Sequence, residues 1–246
     1  MKVQKLDAQH NTLAALSVQR IAQLSAFSER ITYRLARTYL ERDAIFKHRY
    51  SCFLRTGSIS PNCFGRHIES VDHETNSYLL GLYVDRRLIS SLRVQVGTAK
   101  HANFVSAGVF PKILEPLIES NKTVVDMSGV ATDGELAQPY RWMPYLILRA
   151  WILTAENFQA DYLSTSVPPQ HQMFYQRVLN CEAFSELRSL PRRSTSVGLI
   201  TLNFLASAER LYKDLPFLRS TVSERQNLFE KEAIPSKARS NKPSAS

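Results

Sequence analysis

Glu69–Gln95 reads ESVDHETNSYLLGLYVDRRLISSLRVQ. Two acids, Glu69 and Asp72, stand three apart. Two runs rich in Val, Ile, Leu and Tyr follow, Tyr78–Val84 and Leu88–Val96, parted by Asp85-Arg86-Arg87. Short β-prone runs on either side of a polar break predict an antiparallel hairpin. Alternation along the second run puts Leu88, Leu92, Val94 and Val96 on one face, with Ile89, Ser91, Arg93 and Gln95 on the other. A charged Arg93 inside a strand needs an anion or water, because an unpaired buried charge is too costly. Glu69 and Asp72 are the obvious partners. The stretch predicts a polar site built on a rigid sheet.

Outward from the hairpin, the first 28 residues carry a loose apolar stripe (Leu13, Leu16, Ile21, Leu24) and read as a helical extension. Ile31–Ala36 fits a strand. Thr38 followed three residues later by Glu41 has capping-box spacing and opens a helix to about Leu54. Ile45, Arg49 and Phe53 fall on one face of that helix. Arg49 there either snorkels to water from the edge of a core stripe or points into a cleft with Phe53 beneath it. Gly57–Phe64 is turn-rich. Val109–Ser120 suggests a short helix interrupted by Pro111 and Pro116. Thr123–Ala131 (TVVDMSGVA) is a strand whose alternation sets Asp126 and Ser128 on one face. Tyr140–Asn157, apolar nearly all round, is a buried helix. Ala160–Val167 is a strand, Pro168–Leu179 a helix, and Ala183–Leu187 and Thr195–Phe204 two last strands. Amphipathic helices to about Ala233 and a Lys/Ser/Pro tail close the chain. The order predicts a mixed sheet with helices on its faces.

The chain has 246 residues, 44% hydrophobic and 22% charged, enough for one good-sized domain with extensions. No apolar run could span a bilayer, and the first 30 residues lack the core of a secretory signal, so the expectation is a soluble, cytoplasmic protein. Three cysteines without CxxC spacing suggest neither a disulfide framework nor a zinc site. The net charge is +9 and the pI about 9.6. Lys and Arg are spread rather than blocked, which fits a solvated basic surface or an acidic macromolecular partner; no helix-turn-helix, zinc-finger or RNP-like signature points to nucleic acid.

Four pieces together resemble the GNAT-like N-acyltransferases, chiefly the N-acyl amino acid synthases and the acyl-homoserine-lactone (autoinducer) synthases. Arg49-Tyr-Ser-Cys-Phe53 is similar to that family's Arg-x-x-x-Phe on the first helix. Glu69 and Asp72 before Asn76-Ser77-Tyr78-Leu79 resemble its acid-x-x-Asp ahead of a Thr/Ser-Tyr-Leu strand. Ser91-Leu92-Arg93 resembles its Ser-Leu-Arg. Val167-Pro-Pro-Gln-His171-Gln-Met-Phe-Tyr175, continuing to Leu179 and Phe184, is similar to the Pro-x-His-x-x-Phe-Tyr segment of the N-acyl amino acid synthases. The resemblance covers Ile31–Phe204. It implies an α/β (α+β) fold: a GNAT-like, mixed, mostly antiparallel central sheet with helices on both faces. The expected layout is a helical extension over 1–28, the acyltransferase domain over 29–204, C-terminal helices over 205–234 and a disordered tail over 235–246.

The resemblance implies attack of an amine on the thioester of a long acyl chain, with no bound cofactor and an amino acid or related small amine as acceptor. Asp126, Glu69 and Ser128 are then the catalytic candidates, Asp126 being the base, acting through a water. Arg49, Asp72 and Arg93 with Glu69 form an ion-pair network that orders the acceptor pocket, or one that is structural alone. Phe53, Met127, Trp142 and Tyr175 suit an acyl tunnel or plain core, and His171 a binding or capping role. Two departures weigh against a homoserine-lactone product. Asp126-Met-Ser128-Gly129 stands where the autoinducer synthases have Glu-x-Ser-Arg, and Ile59 stands near their tryptophan. The pyrophosphate loop of acetyl-CoA-dependent GNAT enzymes is not visible between Ala131 and Tyr140, which fits a donor presented on acyl carrier protein better than acyl-CoA. An autoinducer-type synthase, a CoA-dependent acetyltransferase and a non-catalytic acyl-chain-binding protein are the alternatives.

Overall fold

The computed structural model describes residues 18–138, 140, 142–189 and 196–230. The elements run α1 (Val18–Ser28), β1 (Ile31–Leu35), α2 (Tyr39–Arg55), a 3-10 turn at Ser70–His73, β2 (Ser77–Val84) and β3 (Arg87–Gly97). Then come α3 (Val105–Val109), α4 (Pro111–Glu119), β4 (Val124–Thr132), α5 (Gly134–Ala137), α6 (Met143–Asn157), β5 (Tyr162–Val167) and α7 (Pro169–Leu179). β6 (Glu182–Ser189), β7 (Ser196–Asn203), α8 (Phe204–Asp214), a 3-10 turn at Pro216–Leu218 and α9 (Val222–Phe229) complete the order. The expected tail over 235–246 and most of the expected leading extension lie outside the described residues.

Seven strands form one sheet in the order β1-β2-β3-β4-β5-β7-β6. Every neighbouring pair is antiparallel except β4–β5. The β2–β3 hairpin turns on Asp85 and Arg86, both left-handed (φ 47° and 67°), the two-residue turn that follows the right-handed twist of its strands. Thr38 caps α2 as its spacing predicts: Glu41 N–H donates to Thr38 Oγ1 at 3.2 Å and Thr38 N–H to Glu41 Oε2 at 2.8 Å. Pro116 lies inside α4 without ending it, and Pro111 opens that helix where a missing N–H costs nothing. The interruption falls at Phe110 instead, between α3 and α4.

One face of the sheet is apolar. Leu80, Leu82, Leu92, Val94, Val125 and Met127 meet α6, which buries Leu146, Leu148, Trp151, Ile152 and Leu153. Trp151 Nε1–H donates to Val125 O at 2.9 Å, so the largest core side chain keeps its polar atom satisfied. The C-terminal segment is pinned to the same helix: Arg149 donates from Nε to Phe217 O at 2.7 Å and from Nη2 to Glu224 Oε1 at 2.5 Å. The other face, under α2 and α3, is polar at its centre. Ser91, Arg93, Gln95, Asp126 and Ser164 are all buried there, because register pairs Gln95 with Asp126 and Asp126 with Ser164.

Two bulges edit the simple alternation. Leu82 pairs with Ser90 and Tyr83 with Leu88, leaving Ile89 over. Ile89 therefore joins the α6-side core, while Leu88 packs with Ala36, Ile45, Phe46 and Leu79 on the α2 side. The expected grouping of Leu88 with Leu92 fails at that one extra residue. The second bulge lies in β4: Ser91 pairs with Ala131 and Arg93 with Ser128, so Gly129 and Val130 together oppose Leu92. Gly129 adopts φ +59°, a left-handed position suited to glycine.

Candidate active site

The site begins where β4 and β5 separate. They pair only from Val124–Tyr162 to Met127–Thr165, yet β4 runs on to Thr132 and β5 to Val167. The parting opens a cavity of about 760 Å³. Its floor is Ser128–Thr132 and Thr165–Val167, and its walls include Cys52 and Phe53 of α2 and His171, Phe174 and Tyr175 of α7. The β4 bulge lies in this floor, so Gly129 and Val130 have no Cα partner in β3 or β5.

Beside the floor, four charges join. Arg49 Nη1 and Arg93 Nη1 both donate to Asp72 Oδ1, at 2.7 and 2.8 Å. Asp72 Oδ2 accepts the Glu69 N–H at 2.8 Å, and Arg42 donates to the Asp72 carbonyl. Arg93 Nη2 reaches Glu69 Oε2 at 2.9 Å, while its Nε donates to Ser128 Oγ at 3.0 Å. Two cations and two anions thus balance, with Arg49, Arg93 and Asp72 buried and Glu69 partly exposed. Burial pushes the Asp72 carboxyl up, but Arg49 and Arg93 together outweigh it and hold the group below the usual carboxylate range. The guanidinium of Arg49 packs on Gly129: a Cβ there would stand 3.2 Å from Nη2. A side chain in place of Gly129 meets both that contact and the left-handed backbone.

Asp126 is held differently. It is fully buried, accepting Ser164 Oγ–H at 2.7 Å on Oδ1 and the Ser106 N–H at 3.3 Å on Oδ2. Burial is the largest influence and pushes the carboxyl up to about 6, against the hydrogen bonds of Ser106 and Ser164 and the more distant charge of Arg93. Ser106 Oγ in turn lies 2.8 Å from Ser166 Oγ, and Ser166 belongs to the cavity floor.

A second, smaller cavity of about 220 Å³ lies beside Glu69 and includes Ile59, Asn62, Arg66 and His67 in its lining. Phe53 stands between the two spaces. It lines the large cavity and meets the His67 ring edge-on, centroids 5.1 Å apart.

The structure therefore brings Arg49, Glu69, Asp72, Arg93 and Ser128 together beside Phe53. His171 and Tyr175 line the large cavity. Met127 does not: it is fully buried in the α6-side core, because alternation turns it away from Ser128. Trp142 packs against that same core, with Tyr145 at a 6.0 Å ring separation, and is absent from the cavity lining. Asp126 lines neither cavity. Sequence reasoning missed Cys52, which lines the large cavity, and its neighbour His48, whose Nδ1 lies 3.1 Å from Ser91 Oγ and whose Nε2 lies 3.7 Å from Cys52 Sγ. Their i, i+4 spacing on α2 was the available signal. Burial pushes the Cys52 thiol up to about 11, so it is no ready nucleophile. Ser106 and Ser166 gave no signal, being ordinary serines until the fold joins them. Among the described residues, no group of three His, Cys, Asp or Glu side chains is placed to hold a metal ion, and no helix is long and apolar enough to cross a membrane.

A mixed sheet that parts between two parallel central strands, with a buried polar cluster beside the gap, is the frame of a GNAT-like acyltransferase. The N-acyl amino acid synthase FeeM family model matches residues 44–203, and the chain belongs to that family. It is an acyltransferase. Among solved structures it is similar to FeeM, an N-acyl amino acid synthase from uncultured soil microbes, with 16% identity and a TM-score of 0.62 over 76% of this chain and 98% of that one. The acyl-homoserine-lactone synthase LasI is 13% identical with a TM-score of 0.52, covering 73% of this chain and 95% of its own. BjaI, a CoA-dependent acyl-homoserine lactone synthase, is 11% identical with a TM-score of 0.52, covering 76% and 89%. No curated protein matches the chain.

Proposed function

We propose that this protein moves a long acyl chain from an acyl carrier protein thioester to the amine of an amino acid or related small amine. The observation that carries the reading is the paired arrangement of spaces: a large cleft at the β4–β5 parting, and a small one beside Glu69, joined through the Glu69–Arg93–Ser128 chain. The large space suits the thioester and its acyl tail, the small one the acceptor. The main chain at Gly129 and Val130, which has no Cα partner in β3 or β5, is the source of donors for the oxyanion that forms as the carbonyl is attacked. The Arg49–Asp72–Arg93–Glu69 cluster holds the acceptor, and Asp126 is the base.

Carrier protein is favoured over free CoA by the end of β4. There the first N–H groups of α5, from Glu135 and Leu136, already donate to Asp133 Oδ1 at 3.0 Å. Asp133 is itself paired with Arg55 at 3.1 Å. A pyrophosphate would have to displace that carboxylate. The basic surface then serves to steer an acidic carrier. Acyl transfer assayed with matched acyl chains on carrier protein and on CoA tests this. Carrier-dependent turnover should fall steeply as salt rises, since exposed charges are screened within about 10 Å at 0.1 M. Salt-insensitive turnover with acyl-CoA would refute the carrier assignment. New N-acylated amino acids in organic extracts of an overexpressing host test the reaction itself, and unchanged extracts would favour a binding protein.

A further inference from the structure

Asp126 touches neither cavity, so a base at that position needs a path to the reacting amine. The structure holds one set of groups that forms it. Ser166 lines the cleft floor on β5. Its Oγ is 2.8 Å from Ser106 Oγ on α3. Ser106 is fully buried; its amide N–H donates to Asp126 Oδ2 at 3.3 Å, and its side chain is close enough to the same carboxyl to lower its proton affinity. Ser164 Oγ–H occupies the other carboxylate oxygen at 2.7 Å, leaving the Ser106 side as the way out. α3 presents Ser106 here because that helix, Val105–Val109, is anchored to β3 at its start: Val105 N–H donates to Gln95 Oε1 at 3.1 Å.

We propose that Ser166 and Ser106 are a two-hydroxyl proton relay that connects the acceptor amine, where it enters the cleft to meet the thioester, to Asp126. The relay rests on the acyltransfer reading above. The amine arrives as an ammonium. Ser166 Oγ takes one proton from it while passing its own to Ser106 Oγ, which passes its own to the Asp126 carboxylate; each hydroxyl ends with one proton, as it began. The freed lone pair forms the C–N bond at the thioester carbonyl. As the tetrahedral intermediate collapses, the C–S bond breaks and the thiolate leaves with a second nitrogen proton. The third stays on the amide. Asp126 returns its proton to solvent along the same path. Its elevated proton affinity, the result of burial, suits it to this duty. A short aspartate set back from the cleft is thereby a matched part: the two serines span the distance that a longer acid would cover.

The test is steady-state acyl transfer with a lauroyl thioester of acyl carrier protein and an equimolar mixture of the twenty amino acids, the products read by mass. Ser166→Ala, at a partly exposed position, removes the entry hydroxyl. It should lower kcat by about 10²-fold, the scale of losing general-base help, with the donor KM unchanged and the thermal midpoint kept. Ser166→Thr restores a hydroxyl and should recover most of the rate. Ser106→Ala should behave like Ser166→Ala, and the double variant should be no worse than either, since a relay breaks once. Turnover of Ser166→Ala within threefold of the unaltered enzyme, with Asp126→Asn inactive, would overturn the relay and leave the acyltransfer reading standing. Equal impairment of Ser166→Thr and Ser166→Ala would also overturn it, as a packing effect. No transfer by the unaltered enzyme would overturn the acyltransfer reading itself, and the relay with it.

Discussion

Asp72 and Asp126 serve the same face of the sheet, and neither has any exposure to solvent. Asp72 shares one oxygen between two guanidiniums and holds a backbone N–H with the other. Asp126 has only hydroxyls and an amide. The first is driven below the ordinary carboxylate range and the second up to about 6. Burial opposes ionisation equally in kind at both sites; the counter-charge decides the sign. One acid is therefore locked as an ion and supports the fold. The other has its proton affinity raised by burial, and the fold is weaker for it at neutral pH.

The largest effect should come from breaking the locked site. Asp72→Asn strands Arg49 and Arg93 without their shared anion and should destabilise the protein by about 3–5 kcal/mol in urea unfolding. A loss below about 1 kcal/mol would show that the cluster is hydrated and the contrast false. In the parent, the Asp72 contribution is present above about pH 4, its unfolded value, and is lost as pH falls through its lower folded value.

Asp126→Asn should act in the opposite direction. Its folded value near 6 against an ordinary 3.8 corresponds to a penalty of up to about 3 kcal/mol at pH 7. Because the folded form holds its proton more tightly, that penalty grows as pH rises from about 4 to 6 and is complete above. The variant should therefore be more stable than the parent at pH 7, equal to it near pH 4, and slower in maximal rate by about 10²-fold or more. Equal stability at both pH values would mean that Asp126 is ordinary. A stabilised variant with full activity would move the base to Glu69.

Gly129→Ala probes the seam between the two sites. A left-handed alanine costs about 1–2 kcal/mol, and its methyl would press on the Arg49 guanidinium. Unfolding at unchanged stability would show that β4 relaxes there. The smallest effect belongs to Arg55→Ala, which removes a bridge to Asp133 whose arginine is 40% exposed. It should leave the urea midpoint close to that of the parent, the same ion-pair chemistry in water serving as a control on the buried cluster.

The strands, the capped helix and the meeting of Arg93 with Asp72 are readable in the chain, because each follows from local periodicity or from a charge that demands a partner, while the place of Arg49 beside them is implied by the family resemblance. What escaped depends on distant segments. Nothing near Ile89 announces that one residue is extra, so simple alternation puts Leu88 on the wrong face. Met127 looks like a tunnel residue beside Asp126 and Ser128, yet the same alternation that joins those two sends it to the core. Trp142 was an aromatic near an expected site and no more. Ser106 and Ser166 are 60 positions apart, and only the approach of α3 to β5 joins them.

The cleft itself is made by an interruption of strand pairing, and that has a consequence for how such a protein can change. Side chains around the opening other than Ser166 can be exchanged one at a time, altering its depth, shape or taste for a given tail, while the parting of β4 from β5 stays in place. The opening is written in the backbone and its shape in what hangs from it. An enzyme of this design can be retuned to a new acyl length without first losing its reaction.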